Sequence, residues 1–217
     1  MFACMKDPFS AVSHLAGALA AALGLTLLVT LAALYASAWH VVSFSVYGAA
    51  MVLLYTSSGL YHSLRLSERG TRLMRRLDHV MIFLLIAGTY TPLCLVPLRG
   101  AWGWSLFGAV WGVALMGILM KLFWLEAPRW LSTAVYLLLG WAALTAISPL
   151  WHSLPLGGLI WLGLGGLCYS GGAVIYALKR PDPWPGRFGF HEIWHLFVLA
   201  GSFCHFWMML AYVLPLP

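Results

Sequence analysis

Charged residues are scarce. Asp, Glu, Lys and Arg make up 8% of the 217 residues, against about 25% in an average soluble protein. So few charges cannot coat a water-facing surface, which excludes a soluble globular chain and leaves no room for a separate soluble domain. A formal net charge of +6 would suggest nucleic acid in a soluble protein. Here the basic residues stand between apolar runs, where they set orientation instead, so no nucleic-acid partner is expected. Cysteine is equally sparse: Cys4, Cys94, Cys168 and Cys204 form no CxxC pair, and three of them lie in apolar segments. They read as small packing residues rather than as thiolate ligands or disulfides. No internal repeat is evident, which argues against an inverted-repeat transporter. No low-complexity segment interrupts the chain.

What is abundant is apolar surface. Hydrophobic residues are 62% of the sequence and its mean hydropathy is +0.89. Lipid must therefore be the solvent, and an all-α bundle of spans is the expected fold. About 20 apolar residues cross a bilayer, and the chain divides into seven such runs: about 12–35, 41–63, 78–97, 103–124, 130–150, 157–178 and 190–213. The seven make a single domain over residues 1–217. The first run is too long for the core of a signal peptide, despite the small-residue triplet Ala36-Ser37-Ala38, and is expected to be retained. The sixth is rich in glycine, which suits close helix packing.

Orientation follows from the basic residues. With a cytoplasmic N-terminus, the inner segments hold Lys6, Arg65, Arg69, Arg72, Arg75, Arg76, Lys121, Arg129, Lys179, Arg180 and Arg187, leaving only Arg99 outside. Seven spans then put the C-terminus outside.

Within this apolar setting, His191-Glu192-Ile193-Trp194-His195 stands out. Histidines four residues apart on a helix are about 40° apart and about 6 Å along the axis, so both rings reach one metal ion. Ionisable side chains in a span are costly and usually mark a working site. The second span ends in Ser58-Gly59-Leu60-Tyr61-His62, and the third begins with Leu77-Asp78-His79. The topology therefore delivers His62, Asp78, His191 and His195 to one level at the same membrane face. Three imidazoles with an open fourth position suit a catalytic zinc whose bound water is acidified towards a pKa of about 7. Asp78 fits as the general base and Ser58, one turn before His62, as a group that steadies a ligand, the water or a substrate oxygen.

Two other readings stay open. HEIWH also matches HExxH, in which the glutamate, here Glu192, is the base of a zinc protease. Alternatively, the three histidines are core hydrogen-bonders. Among the remaining histidines, His14 reads as structural or as lining the cavity from the first span. His79 points away from Asp78, and His205 lies about 21 Å along the helix from His191. His40 and His152 read as solvated in outside loops.

At these residues the chain resembles the hemolysin III branch of the progestin and adipoQ receptor (PAQR) family. The marks are Asp7, Ser10 and His14; Ser58 to His62; Leu77-Asp78-His79 with Ile86-Ala87-Gly88-Thr89-Tyr90-Thr91-Pro92; and Phe190 to His195, running on to Phe203-Cys204-His205-Phe206. The resemblance spans nearly the whole length. It implies seven spans, a zinc near the cytoplasmic side on His62, His191 and His195, and a water-binding aspartate at Asp78. The first motif departs from the family, with Asp7 and Ser10 where Glu and Asn are usual. The wider superfamily includes alkaline ceramidases, so zinc-dependent hydrolysis of a lipid amide or ester, in the service of membrane homeostasis, is the implied activity. Membrane lipids are the expected partners and a bacterial inner membrane the expected location. A non-catalytic regulator of membrane state with a structural zinc is the alternative. A pore-forming hemolysin has least support, since the spans offer no polar stripe.

Overall fold

In lipid, each backbone N–H and C=O must be satisfied within its own segment, so apolar runs of this length become helices. A computed structural model describes residues 5–186 and 188–217; Cys4 and Arg187 fall outside them. Its helices, in chain order, are α1 (Pro8–Tyr35), α2 (Ala38–Ser63), α3 (Glu68–Leu95), α4 (Ala101–Phe123), α5 (Arg129–Gly140), α6 (Ile147–Ser153), α7 (Leu156–Leu178) and α8 (Phe190–Met208). A 3₁₀ turn over Ala142–Ala146 joins α5 to α6, and a π turn over Met209–Val213 extends α8. Counted as spans, the described residues form seven helical units long and apolar enough to cross a membrane. The chain is a multi-pass all-α membrane protein.

Local chemistry sets the helix ends. Pro8 opens α1, where its missing N–H costs nothing. The Ser67 side chain accepts from the Gly70 N–H, 3.3 Å, and starts α3. That start corrects the expected boundary of the third span. The arginine-rich segment was expected to be a loop, yet Arg69, Arg72, Arg75 and Arg76 form the first turns of α3. Asp78 accordingly sits in its third turn. Helix propensity of Arg, Leu and Met carries the helix well beyond its apolar part. Lys121 falls within the expected fourth span, in the last turn of α4, and is 2% exposed.

The spans pack as a ring. Each of α1–α4 touches the next, α5 packs on α3, α4 and α7, α7 lies along α8, and α8 closes against α1. Phe44, Tyr47, Met51, Phe83, Leu93, Met208 and Met209 form the shared core. Small residues permit the closest approaches. A Cβ on Gly88 of α3 would meet Ala50 of α2 at 2.7 Å, and Cβ atoms on Gly165 and Gly172 of α7 would run into His205, Phe197 and Trp194 of α8. The glycines of the sixth span thus do serve packing. Cys94 and Cys204 are buried, and these and Cys168 are free thiols.

The fifth span departs most from expectation. The single run expected over 130–150 is broken at Gly140, so its backbone groups need other partners. Tyr90 of α3 supplies them: its hydroxyl donates to the Gly140 carbonyl at 2.6 Å and accepts from the Ala143 N–H at 2.8 Å. Trp141, turned inward at the break, donates its indole N–H to Ser170 of α7 at 2.9 Å. His40 also corrects its expectation. It is 1% exposed in the first turn of α2, with Nδ1 2.9 Å from the Ser37 hydroxyl and Nε2 3.2 Å from the Val213 carbonyl. It ties the start of α2 to the end of the α8 span. His152 is exposed, as read.

Tyr90→Phe should leave two backbone groups at the break in the fifth span without partners and lower stability by about 1–3 kcal/mol. Thermal unfolding in detergent measures this, and an unchanged midpoint would contradict the bridging role.

Candidate metal centre

All spans alternate, so the end of α2 and the starts of α3 and α8 lie at one end of the bundle. There His62, the last full turn of α2, meets His191 and His195 in the first two turns of α8. His62 and His195 are each 2% exposed. The Nε2 atoms of His191 and His62 are 3.3 Å apart, and those of His195 and His191 3.2 Å. One ligand atom from each of the three lies within 4.8 Å of the other two.

These spacings suit a shared ion. A metal with nitrogen ligands at about 2.0–2.1 Å and tetrahedral angles sets them about 3.3–3.4 Å apart. The proton inventory points the same way. His62 Nδ1 lies 2.8 Å from Asp7 Oδ2, so its proton is donated there and its Nε2 presents a lone pair to the other two rings. One proton can bridge two of three converging nitrogens well, but the third then faces them with nothing to share. A single cation at the centre satisfies all three. The three histidines could therefore hold a metal ion.

Outer partners fix this arrangement, and two of them were not assigned from the sequence. Asp7 orients His62, in the manner by which carboxylates steady ligating imidazoles. The hydrogen bond to His62 holds the Asp7 carboxyl below its usual range, overcoming the partial burial that pushes it up. The Asp7 N–H also donates to the His62 carbonyl at 2.9 Å, pinning the entry to α1 against the end of α2. Ser10 donates to Glu192 Oε1 at 3.2 Å, and Glu192 Oε2 accepts from the Gly189 N–H at 2.8 Å. Glu192 is thus occupied in capping α8 and joining it to α1, which removes the support for a zinc-protease reading of HEIWH. Asp7 and Ser10, where the first motif departs from its usual residues, both tie the start of α1 to the site.

His14 of α1 is buried and stacks on His195, with ring centroids 3.7 Å apart and planes 24° apart. It lies against the site as a flat cover. Beneath it, the edge of Tyr55 meets His14 at 5.1 Å, and the Tyr55 hydroxyl donates to Ser202 at 2.6 Å. His205, ten residues beyond His195 on α8, is held through Nε2 to the Leu162 carbonyl at 3.3 Å.

A cavity of about 460 Å³ opens beside the centre. Ser58 and Asp78 both line it together with His62, His191 and His195. Ser58 is buried one turn before His62, and Asp78 lies on the facing start of α3, its Oδ2 3.8 Å from His79 Nδ1. His79 lines the same cavity, its Nδ1–H donated to the Arg75 carbonyl at 2.8 Å. Among the described residues Asp78 makes no direct hydrogen bond to the three imidazoles. The cavity runs inward past Tyr136 and Trp141 to His205, so the break in the fifth span forms part of its wall.

A protein-family model described as haemolysin-III related matches residues 2–206. The chain belongs to that family. The hemolysin-3 homolog of Bacillus subtilis is 41% identical over 217 residues, covering all of this chain and 99% of the relative. Hemolysin-3 of Bacillus cereus is 41% identical over 206 residues, covering 95% and 91% of the two chains. The adiponectin receptor protein of Drosophila melanogaster is 30% identical over 165 residues, covering 62% of this chain and 34% of the receptor. The PAQR resemblance read from the motifs is thereby supported at both ends, by near neighbours among the haemolysin-III proteins and by distant receptors.

Asp7→Ala should lower metal affinity about 10–100-fold, as expected for loss of a group that orients a ligating imidazole. Chelator competition on the purified protein measures it; wild-type affinity would show that His62 needs no such partner.

Proposed function

We propose that this haemolysin-III family protein is an intramembrane zinc hydrolase that cleaves an amide or ester bond of a membrane lipid. The observation that carries the reading is one wall of one cavity: three imidazole nitrogens spaced for a single ion, with Asp78 and Ser58 on the same lining. Three neutral imidazoles with room beside them favour zinc with an open position over a closed structural site. Bound there, zinc supplies Lewis acidity for a water molecule and for the carbonyl to be cleaved.

The protein's own residues do the rest. Asp78 takes the proton from the attacking water and returns it to the leaving amine or alkoxide, a task that requires it to stand one water away from the imidazoles rather than on them. Ser58 donates a hydrogen bond to the substrate carbonyl or to the water. His62, His191 and His195 keep the ion in place, and the Asp7 carboxylate keeps His62 in the tautomer that offers Nε2. His14, stacked over His195, excludes water from the α1 side. Exclusion of bulk water strengthens every electrostatic contact inside the site.

Orientation belongs to the same reading. The distribution of basic residues supports a site on the cytoplasmic side, and the Bacillus relatives favour the bacterial cell membrane. Substrate then enters from the inner leaflet. Reporter fusions within 65–76 and 179–189 should both read as cytoplasmic; either one reading as external would overturn the orientation.

Asp78→Asn keeps the shape of the side chain and removes the base. It should leave zinc content and unfolding temperature near wild type while abolishing release of lipid product. His191→Ala should lose metal and turnover together. If Asp78→Asn supports wild-type turnover or wild-type behaviour in cells while the histidine variants fail, zinc acts as a clamp on α2 and α8 and the protein is a non-catalytic regulator. Stoichiometric zinc retained by a variant with His62, His191 and His195 all replaced by Ala would sink the metal assignment itself.

A further inference from the structure

The cavity lining also holds polar side chains where α4 ends and α5 begins. Lys121 lines the cavity there, 2% exposed, and among the described residues its ammonium has no hydrogen bond and no ion pair within 4 Å. An ammonium that opens onto a largely enclosed cavity, on a side chain otherwise buried and with no ion pair of its own, favours a counter-charge inside that cavity. The nearby carboxylate of Glu126 is already engaged with Arg75 at 3.1 Å and is mostly exposed. Of the acids on the lining, Asp7 is held by His62 and Glu192 by the cap of α8, and Asp78 makes no ion pair with Lys121.

A second, independent observation comes from the same cavity lining, at the start of α5. Ser132, in the first turns of α5, also lines the cavity, and its hydroxyl is buried with no hydrogen-bond partner. Buried hydroxyls are nearly always satisfied, and exceptions ask for an occupant. The start of α5, at Arg129, adds the positive end of a helix dipole. A cation, an unused hydroxyl donor and a helix N-terminus together select an anion with several acceptor oxygens. The cavity walls also include Leu85, Ile86 and Leu137, which suit a hydrocarbon chain.

We propose that Lys121 and Ser132 bind the phosphate-type anionic group of the ligand that enters this cavity, so that the substrate is an anionic lipid gripped by its headgroup at α4–α5 while its acyl linkage lies towards the histidines. The inference rests on the hydrolase reading for the word substrate, but the anion site itself does not depend on turnover.

Binding tests it directly. Zinc-loaded full-length protein in an uncharged detergent is titrated with dihexanoyl phosphatidic acid, with uncharged dihexanoylglycerol and with inorganic phosphate, followed by calorimetry. The phosphatidic acid should bind at least about tenfold tighter than the diacylglycerol, the scale of one charge-assisted contact. Lys121→Met should erase that preference, Lys121→Arg should keep most of it, and Ser132→Ala should weaken it severalfold. Zinc content and unfolding temperature confirm that each variant is folded. Free phosphate bound as tightly as the phosphatidic acid, and lost in Lys121→Met, keeps the anion site but overturns its assignment to a lipid. Equal affinity for the two lipids, or a Lys121→Met variant that binds phosphatidic acid like wild type, overturns the proposal. Lys121-dependent binding without any lipid cleavage would instead retire the hydrolase reading and leave the anion site standing.

Discussion

Everything at the working end of this protein depends on how three imidazoles are kept together away from water. Bringing ionisable rings into a membrane-embedded bundle is unfavourable unless each nitrogen has a partner. The fold answers by sharing: His62 gives one proton to Asp7, and the three Nε2 atoms converge to within 3.2–3.3 Å along two edges. The convergence joins α2 to α8, elements more than a hundred residues apart in sequence. Asp7 and Ser10 then fasten α1 to both. The first, second and last spans are thus locked at one end of the bundle by polar contacts, while the rest of their length packs mainly through apolar side chains and glycine, with Tyr55–Ser202 and His40–Val213 as further polar ties.

The other side of the cavity is built by different means. A straight fifth helix would fill the space with its own side chains. Breaking it at Gly140 opens a pocket wall, and the break is sustained because the Tyr90 hydroxyl serves a carbonyl and an amide at once. Trp141 and Ser170 close the seam. The same cavity is lined by three histidines that could hold an ion, by Lys121, which makes no ion pair among the described residues, and by apolar side chains such as Leu85, Ile86 and Leu137.

Much of this was legible in the sequence, and the exceptions have physical causes. Seven apolar runs separated by Pro, Gly and Arg gave the seven spans, since span length is set by bilayer thickness. His62, His191 and His195 could be placed at one depth because alternation of spans fixes depth without any knowledge of contacts. Ser58 and Asp78 followed from the same reasoning, and both do line the cavity. The break in the fifth span was invisible, because Gly140-Trp141 is as apolar as its surroundings and the compensating group, Tyr90, lies fifty residues away. Arg69 to Arg76 were read as loop since hydropathy marks where lipid ends, not where a helix ends. His40 was read as solvated from its place at a span boundary, yet its two ring nitrogens bind Ser37 and Val213 across the bundle. Asp7 stood out only as a motif position that departs from its usual residue, with no role attached; the return of α2 beside it shows that it faces a histidine.

The identity and surroundings of an ion at the three imidazoles bear most directly on whether this chamber is a metal site at all. X-ray absorption at the zinc edge, on protein purified without added metal, reads both at once. Stoichiometric zinc with three imidazole nitrogens at about 2.0–2.1 Å and one further light oxygen scatterer is the expected result. Absence of stoichiometric zinc, or a shell containing sulfur or a fourth imidazole, would contradict an open three-histidine centre.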